Sequence, residues 1–214
     1  MAFIMLLKAG VFVGVAMAAG IGAALLVGLI NALLITRLKI SPFLATLGIL
    51  FIGQSVQKIA SGGGKPVYLA NAKYAPTFNA IVKSDVLGIP TPMLILAVIA
   101  VAVFVLLHRS VFGRYIRALG AQPGVAWYSG IRVQFHTSLV YIIAAGLCGV
   151  TGILLSSTVK SYVPLSGDAY LLDAIGACFI GTTISAQRRP SVIGTLIGVL
   201  LLAVTRNGLL LVGW

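Results

Sequence analysis

Side chains capable of proton transfer, nucleophilic attack or metal ligation are few in this 214-residue sequence. Asp85, Asp168 and Asp173 are its only acids, and His108, His136, Cys148 and Cys178 complete the set. General acid–base catalysis needs ionisable groups gathered in one place. No GxSxG turn, HExxH pair or CxxC spacing gathers them here. The cysteines lie 30 residues apart inside apolar stretches and read as small packed side chains. His108 and His136 bracket a basic stretch and read as residues of a membrane edge. Gly62-Gly63-Gly64-Lys65 superficially suggests a phosphate loop. A Walker A motif, however, needs Gly where Ile59 stands and Ser or Thr where Pro66 stands. The chain is therefore not expected to hydrolyse ATP itself, and no catalytic residue, metal ligand or cofactor is assigned.

The elements that carry these residues follow from composition. Hydrophobic residues make up 60% of the chain and charged residues 8%, with a mean hydropathy of +1.12. Soluble domains are roughly a quarter charged, so this composition belongs in lipid. The formal net charge of +12 does not indicate nucleic acid. Such binders concentrate Lys and Arg on one face with interleaved aromatics. Here the basic residues stand in small groups between long apolar runs, as charges flanking membrane spans do.

The runs predict an all-α, polytopic transmembrane helix bundle, a single domain over 1–214 with about six hydrophobic segments. Residues Ala9–Ile35 are uncharged over 27 positions, enough to cross a ~30 Å hydrocarbon layer. They also exceed the 7–15 apolar residues of a signal peptide, although Lys8 and Ala16-Met17-Ala18 imitate one. Pro42 opens Phe43–Ala60, which is apolar only to Gly53. Met93–Leu107, His136–Ser157 and a short Leu171–Ala186 follow. A last segment begins at Ser191–Thr205, is interrupted by Arg206-Asn207 and resumes over Gly208–Trp214. Residues 61–91 form a Gly- and Pro-punctuated loop with a short helix expected near Ala75–Val82. Residues 108–135 form a second polar loop, and Gln187-Arg188-Arg189-Pro190 a tight basic turn.

One face of the membrane receives Arg37, Lys39, Arg109, Arg114, Arg117, Arg132, Arg188 and Arg189. The other receives Lys8, Lys58, Lys65, Lys73, Lys83, Lys160 and Arg206. The Arg-rich face is expected to be cytoplasmic, which places 61–91 outside. Two GxxxG pairs, Gly10/Gly14 and Gly194/Gly198, predict close helix packing, with Ala18/Gly22 and Gly48/Gly53 in similar settings. Asp173 has two readings. It is an intramembrane carboxylate with a role, or it sits in a first helical turn where the macrodipole favours it; the polar loop before it favours the second.

The most individual stretch is Gly113-Arg114-Tyr115-Ile116-Arg117-Ala118-Leu119-Gly120, followed by Tyr128-Ser129-Gly130-Ile131. It is basic, partly amphipathic and broken by Gly120, Pro123 and Gly124. A short helix of that kind, parallel to the membrane, suits an anionic-lipid anchor or a protein dock.

With that stretch, the sequence resembles the permease subunit of bacterial binding-protein-dependent ABC importers of the ribose/xylose/arabinose type. The matching stretches are SPFLATLGIL (41–50), GIPTP (88–92), GRYIRALG (113–120) with YSGI (128–131), LLDAIGACFIGTT (171–183), GTLIGVLLL (194–202) and NGLLLVG (207–213). They run in family order over nearly the whole chain. The resemblance implies a non-enzymatic, multi-pass subunit of the bacterial inner membrane that passes a sugar or related polar solute. It makes Gly113, Arg114, Arg117, Ala118, Leu119, Gly120 and Gly130 the candidates for coupling to a cytoplasmic ATP-binding subunit. A second permease subunit, identical or not, and a periplasmic or lipid-anchored solute-binding protein are the other implied partners, with membrane lipid. No substrate-contacting residue is assigned. Against the family pattern the chain starts late and stops early, so a permease shortened at both ends is expected. It also has Gly124-Val125-Ala126-Trp127 where the family tends to Glu-Ala-Ala-Arg. A structural or remnant membrane subunit and a membrane-embedded enzyme are the alternatives.

Overall fold

The computed structural model describes residues 2–8, 10–68, 85–86, 89–159, 161–184 and 190–213. The expected helix at Ala75–Val82 and the basic turn at 187–189 lie outside these residues. Helices dominate. In chain order they are α1 (Ala2–Lys8), α2 (Val13–Thr36), α3 (Pro42–Ala60), α4 (Thr91–His108), α5 (Val111–Ala121), α6 (Pro123–Tyr128), α7 (Val133–Val159), α8 (Asp168–Ile184) and α9 (Val192–Val212). Among the described residues, four two-residue strands form two antiparallel pairs: Val67–Tyr68 with Ser161–Tyr162, and Asp85–Val86 with Ile89–Pro90.

Five of the helices, α2, α3, α4, α7 and α9, are long and apolar enough to cross a membrane. The sixth expected segment is α8, whose 17 residues reach about 25 Å at 1.5 Å per residue. Large apolar side chains such as Leu26, Phe43, Phe51, Val98 and Leu200 stand exposed along these helices. Water would penalise such a surface; hydrocarbon does not. Helix α4 is apolar on every side and buries none of its residues, the pattern of a helix solvated by lipid.

The described residues divide into two compact units, Met1–Pro164 and Leu165–Trp214. In the first, α2 and α7 pack along a seam of small residues. A Cβ added at Gly28 would stand 2.5 Å from Ala145 Cβ, and one at Gly149 would stand 2.9 Å from Ala24 Cβ. Small side chains permit this approach where lipid supplies no hydrophobic drive. Helix α1 closes over one end of the seam through Phe3, Ile4 and Leu7, which are buried with Val13, Ala16 and Ile153. At that end Tyr162 Oη donates to Gln57 Oε1 at 2.7 Å, tying the strand pair to α3. Burial pushes the Tyr162 phenol above its ordinary value, so it remains a donor at neutral pH.

Three expectations change here. Gly10 does not extend a packing helix; it sits in the turn between α1 and α2 with φ +81°, and a Cβ added there meets nothing within 4 Å. Gly14 faces only the ring of Phe12, at 3.2 Å. Gly22, Gly48 and Gly53 likewise look onto open space. The last helix is not interrupted at Arg206-Asn207, since α9 runs unbroken to Val212. Overpacking a tight seam costs about 1–3 kcal/mol. Gly28→Leu is accordingly expected to lower the yield of detergent-stable, monodisperse protein severalfold, whereas Gly22→Leu leaves it unchanged. Size-exclusion chromatography of the two variants checks the contrast.

In the second unit α8 and α9 lie side by side. Gly181 and Ala177 of α8 meet Gly194 and Gly198 of α9 backbone to backbone. A Cβ at Gly194 would reach 2.5 Å from the Gly181 carbonyl, and one at Gly198 would run into the Ala177 carbonyl.

Candidate functional site

The candidate coupling residues occupy a corner made by α5, α6 and the start of α7, all in the first unit. Ser110 turns the chain out of α4: its hydroxyl accepts from the Gly113 amide at 3.1 Å and donates to the Leu106 carbonyl. An N-cap serine satisfies one of the orphan donors of a new helix. Gly113 is required at that turn by space rather than by φ, since a Cβ there would collide with the carbonyl of Leu107. Helix α5 is strongly amphipathic. Phe112, Ile116 and Leu119 form its half-buried stripe, while Arg114, Arg117, Ala118 and Gly120 are exposed. Arg117 Nε also donates to its own helix at the Gly113 carbonyl, 3.3 Å away.

Pro123 starts α6, on which Ala126 is buried while Trp127 and Tyr128 stand 64% and 84% exposed. Gly130 takes φ +77°, the left-handed conformation that glycine adopts without steric cost, and turns the chain into α7. An open cavity of about 770 Å³ lies between α6 and α7, lined by Gly124, Trp127, Gly130, Arg132 and Phe135 among others. No acidic residue occurs between His108 and Gln134, so Arg109, Arg114, Arg117 and Arg132 give the corner a uniformly positive field.

The structure thus separates the candidates. Arg114, Arg117, Ala118 and Gly120 share the exposed part of α5; Gly113 is buried under α4; Leu119 faces inward; and Gly130 is a hinge of the turn into α7. Gly120 departs from expectation in one respect. It is an ordinary helical residue without positive φ, and a Cβ there meets nothing within 4 Å.

His136, read from the sequence only as a residue of the membrane edge, packs α7 against the rings of α5. Its ring lies 5.0 Å from Tyr115, edge to face, and 6.1 Å from Phe112, stacked. Its Nδ1 donates to the Arg132 carbonyl at 2.9 Å, which fixes the ring's rotation. The signal available in the sequence was the three-residue spacing of Phe112 and Tyr115, which puts both rings on neighbouring positions of one helix face. His108 instead stacks on Phe104 within α4, ring centres 4.4 Å apart.

The corner is basic and carries exposed aromatic rings, and its residues gather no reactive constellation. Among the described residues no three His, Cys, Asp or Glu side chains lie close enough to hold a metal ion.

Comparison with known proteins gives the corner a context. The model of a family described as the permease component of branched-chain amino acid transport systems matches residues 1–214. The ribose import permease protein of Bacillus subtilis (strain 168) is 36% identical over 183 residues, covering 86% of this chain and 56% of that protein. Its counterpart in Escherichia coli (strain K12) is 32% identical over 207 residues, 97% of this chain and 64% of that protein. The D-allose transport system permease protein of the same strain is 31% identical over 191 residues, 88% and 56% of the two chains. This chain therefore spans less than two thirds of the length of the relatives it matches. No solved structure matches it significantly. A match over the full 214 residues, with relatives at this identity, places the chain in the family of permease components of branched-chain amino acid transport systems.

Proposed function

We propose that this protein is a membrane-spanning permease subunit of a bacterial ABC importer, moving a sugar or a related small polar solute across the inner membrane without changing it chemically. The observation that carries the reading is the α5–α6 corner. It is amphipathic and uniformly basic and packs against His136 of α7, while its outer surface, with Ala118, Gly120, Trp127 and Tyr128, is left open. Such a surface fits a groove on a cytoplasmic ATP-binding subunit, the place where ATP hydrolysis would occur. The names of the ribose and allose permeases support a monosaccharide as the solute. A second permease subunit and a solute-binding protein complete the assembly in this reading, and anionic lipid headgroups compensate the arginines that the ATP-binding subunit leaves free.

The sidedness follows from the arginines: 108–135 and 187–190 face the cytoplasm, and 61–91 face outward. A membrane-impermeant maleimide is therefore expected to label Asn71→Cys but not Ser110→Cys in intact cells carrying Cys-free permease. The reverse pattern inverts the assignment. The function itself is tested by co-purification of the ATP-binding subunit encoded beside the permease. A permease that retains that subunit in mild detergent supports the reading, and one that never does leaves a structural membrane subunit.

A further inference from the structure

Helix α9 carries Gly194, Gly198, Leu202 and Arg206 at four-residue intervals, and α8 carries Asp173, Ala177 and Gly181 at the same interval. Residues so spaced share one helix face. At one end of this seam the glycines bring the backbones together; in its middle Leu202 Cδ1 lies 3.5 Å from the Cβ position of Gly176. At the other end Arg206 Nη1 donates to Asp173 Oδ2 at 3.2 Å.

The charged end is not at the tips of the helices. Asp173 is the sixth residue of α8, and Arg206 stands six residues before the end of α9. At 1.5 Å per residue both lie about 8–9 Å inside their helix ends. The macrodipole does not account for Asp173, because its influence falls off within the first turn, and Asp168 already occupies that turn. The sequence expectation of a first-turn aspartate is thus not met: Asp173 lies in the second turn of α8.

Both side chains remain open, Arg206 at 67% and Asp173 at 52% exposure. Hydrocarbon against such a pair is costly, and the single methylene of aspartate cannot carry its charge to the surface. A protein surface pressed on the pair would have to satisfy every remaining lone pair and N–H. Water does so at once. Within the second unit, Asp173 then offers a carboxylate oxygen, and Arg206 most of its five N–H donors, to whatever enters. Tyr170, one turn before Asp173, and Asn207, next to Arg206 in the chain, are also exposed. Acceptor, planar donor and ring together complement vicinal hydroxyls on a compact ring.

We propose that the Asp173–Arg206 pair lines the aqueous path of the transporter and contacts a neutral polyhydroxylated solute as it passes. This rests on the permease reading above and adds to it the residues that meet the solute. The full-length permease, reconstituted with its ATP-binding subunit and solute-binding protein, tests it with D-ribose and D-allose as probes. Asp173→Asn keeps the size of the side chain but weakens one acceptor. Asp173→Arg with Arg206→Asp keeps an ion pair but exchanges donor and acceptor.

Losing a hydrogen bond to a charged group costs about a factor of ten or more. Asp173→Asn is expected to cut sugar uptake by about that factor while ATP hydrolysis stays near the wild-type rate, and the exchanged pair does not restore uptake. Asn207→Cys, in a Cys148→Ser, Cys178→Ser background, is expected to react with a membrane-impermeant maleimide. Three results would each overturn the proposal alone: restoration by the exchanged pair, a fall of hydrolysis in step with uptake, or an unreactive Asn207→Cys. Wild-type vesicles that import neither sugar and show no ATP hydrolysis stimulated by the sugar-loaded binding protein overturn the permease reading and this proposal with it.

Discussion

Ala118→Trp is expected to abolish co-purification of the ATP-binding subunit while leaving the amount of inserted permease unchanged. Ala118 lies on the exposed part of α5, so an indole there disturbs no packing within the first unit. A partner groove shaped to α5 would have to open by the volume of that ring. Residues at the centre of such an interface typically carry about 2 kcal/mol or more, some thirtyfold in affinity. Gly120→Val is the companion test. Its helical φ and open surroundings accommodate a side chain, so a loss of binding reports on the partner and not on strain. Arg114→Lys and Arg117→Lys keep the charge, each worth roughly 1 kcal/mol near an anionic lipid surface. If the corner only anchors to lipid, the outcomes invert: the bulky neutral changes are tolerated, and charge removal by Arg→Gln releases it. Pull-down of the ATP-binding subunit with each variant distinguishes the two.

Gly198→Leu carries the second large effect. Its Cβ would collide with the Ala177 carbonyl, and the Leu side chain would have to displace backbone. Gly194→Leu meets both the Gly181 carbonyl at 2.5 Å and the Ser191 hydroxyl, at 2.8 Å, that caps α9. Overpacking of this kind costs about 1–3 kcal/mol, and more where backbone must move. Both variants are expected to lower membrane-inserted protein several-fold, read as band intensity after mild detergent extraction. Gly208→Leu, which has nothing within 4 Å, is the matched control. Wild-type levels of Gly198→Leu would mean that α8 and α9 do not pack as described.

Which parts of this fold could be read from the sequence follows from how local their causes are. Helices α2 and α4 were legible because an uncharged run of helical length has one fate in lipid. The small-residue rule located Gly194 and Gly198 on the correct face, but it misassigned Gly10. A GxxxG spacing presumes a continuous helix, and the chain turns at Gly10 with positive φ. Gly28 and Gly149 went unnoticed because each meets a residue more than a hundred positions away, and pairing of helices is not written in either one alone. Arg206 was expected to end a helix; charge does not break the i to i−4 ladder, and Asp173, 33 residues earlier, supplies the counter-charge. The basic corner was legible as an exposed amphipathic helix, whereas its attachment through His136 depended on the meeting of α5 and α7.

ATP-driven uptake of radiolabelled D-ribose and D-allose by vesicles containing the full-length permease, its ATP-binding subunit and its solute-binding protein tests the central claim most directly. The account predicts accumulation of at least one sugar that requires ATP and all three components and is lost with Ala118→Trp. Accumulation of neither sugar nor any ATP hydrolysis stimulated by the sugar-loaded binding protein, with the assembly intact, would contradict it.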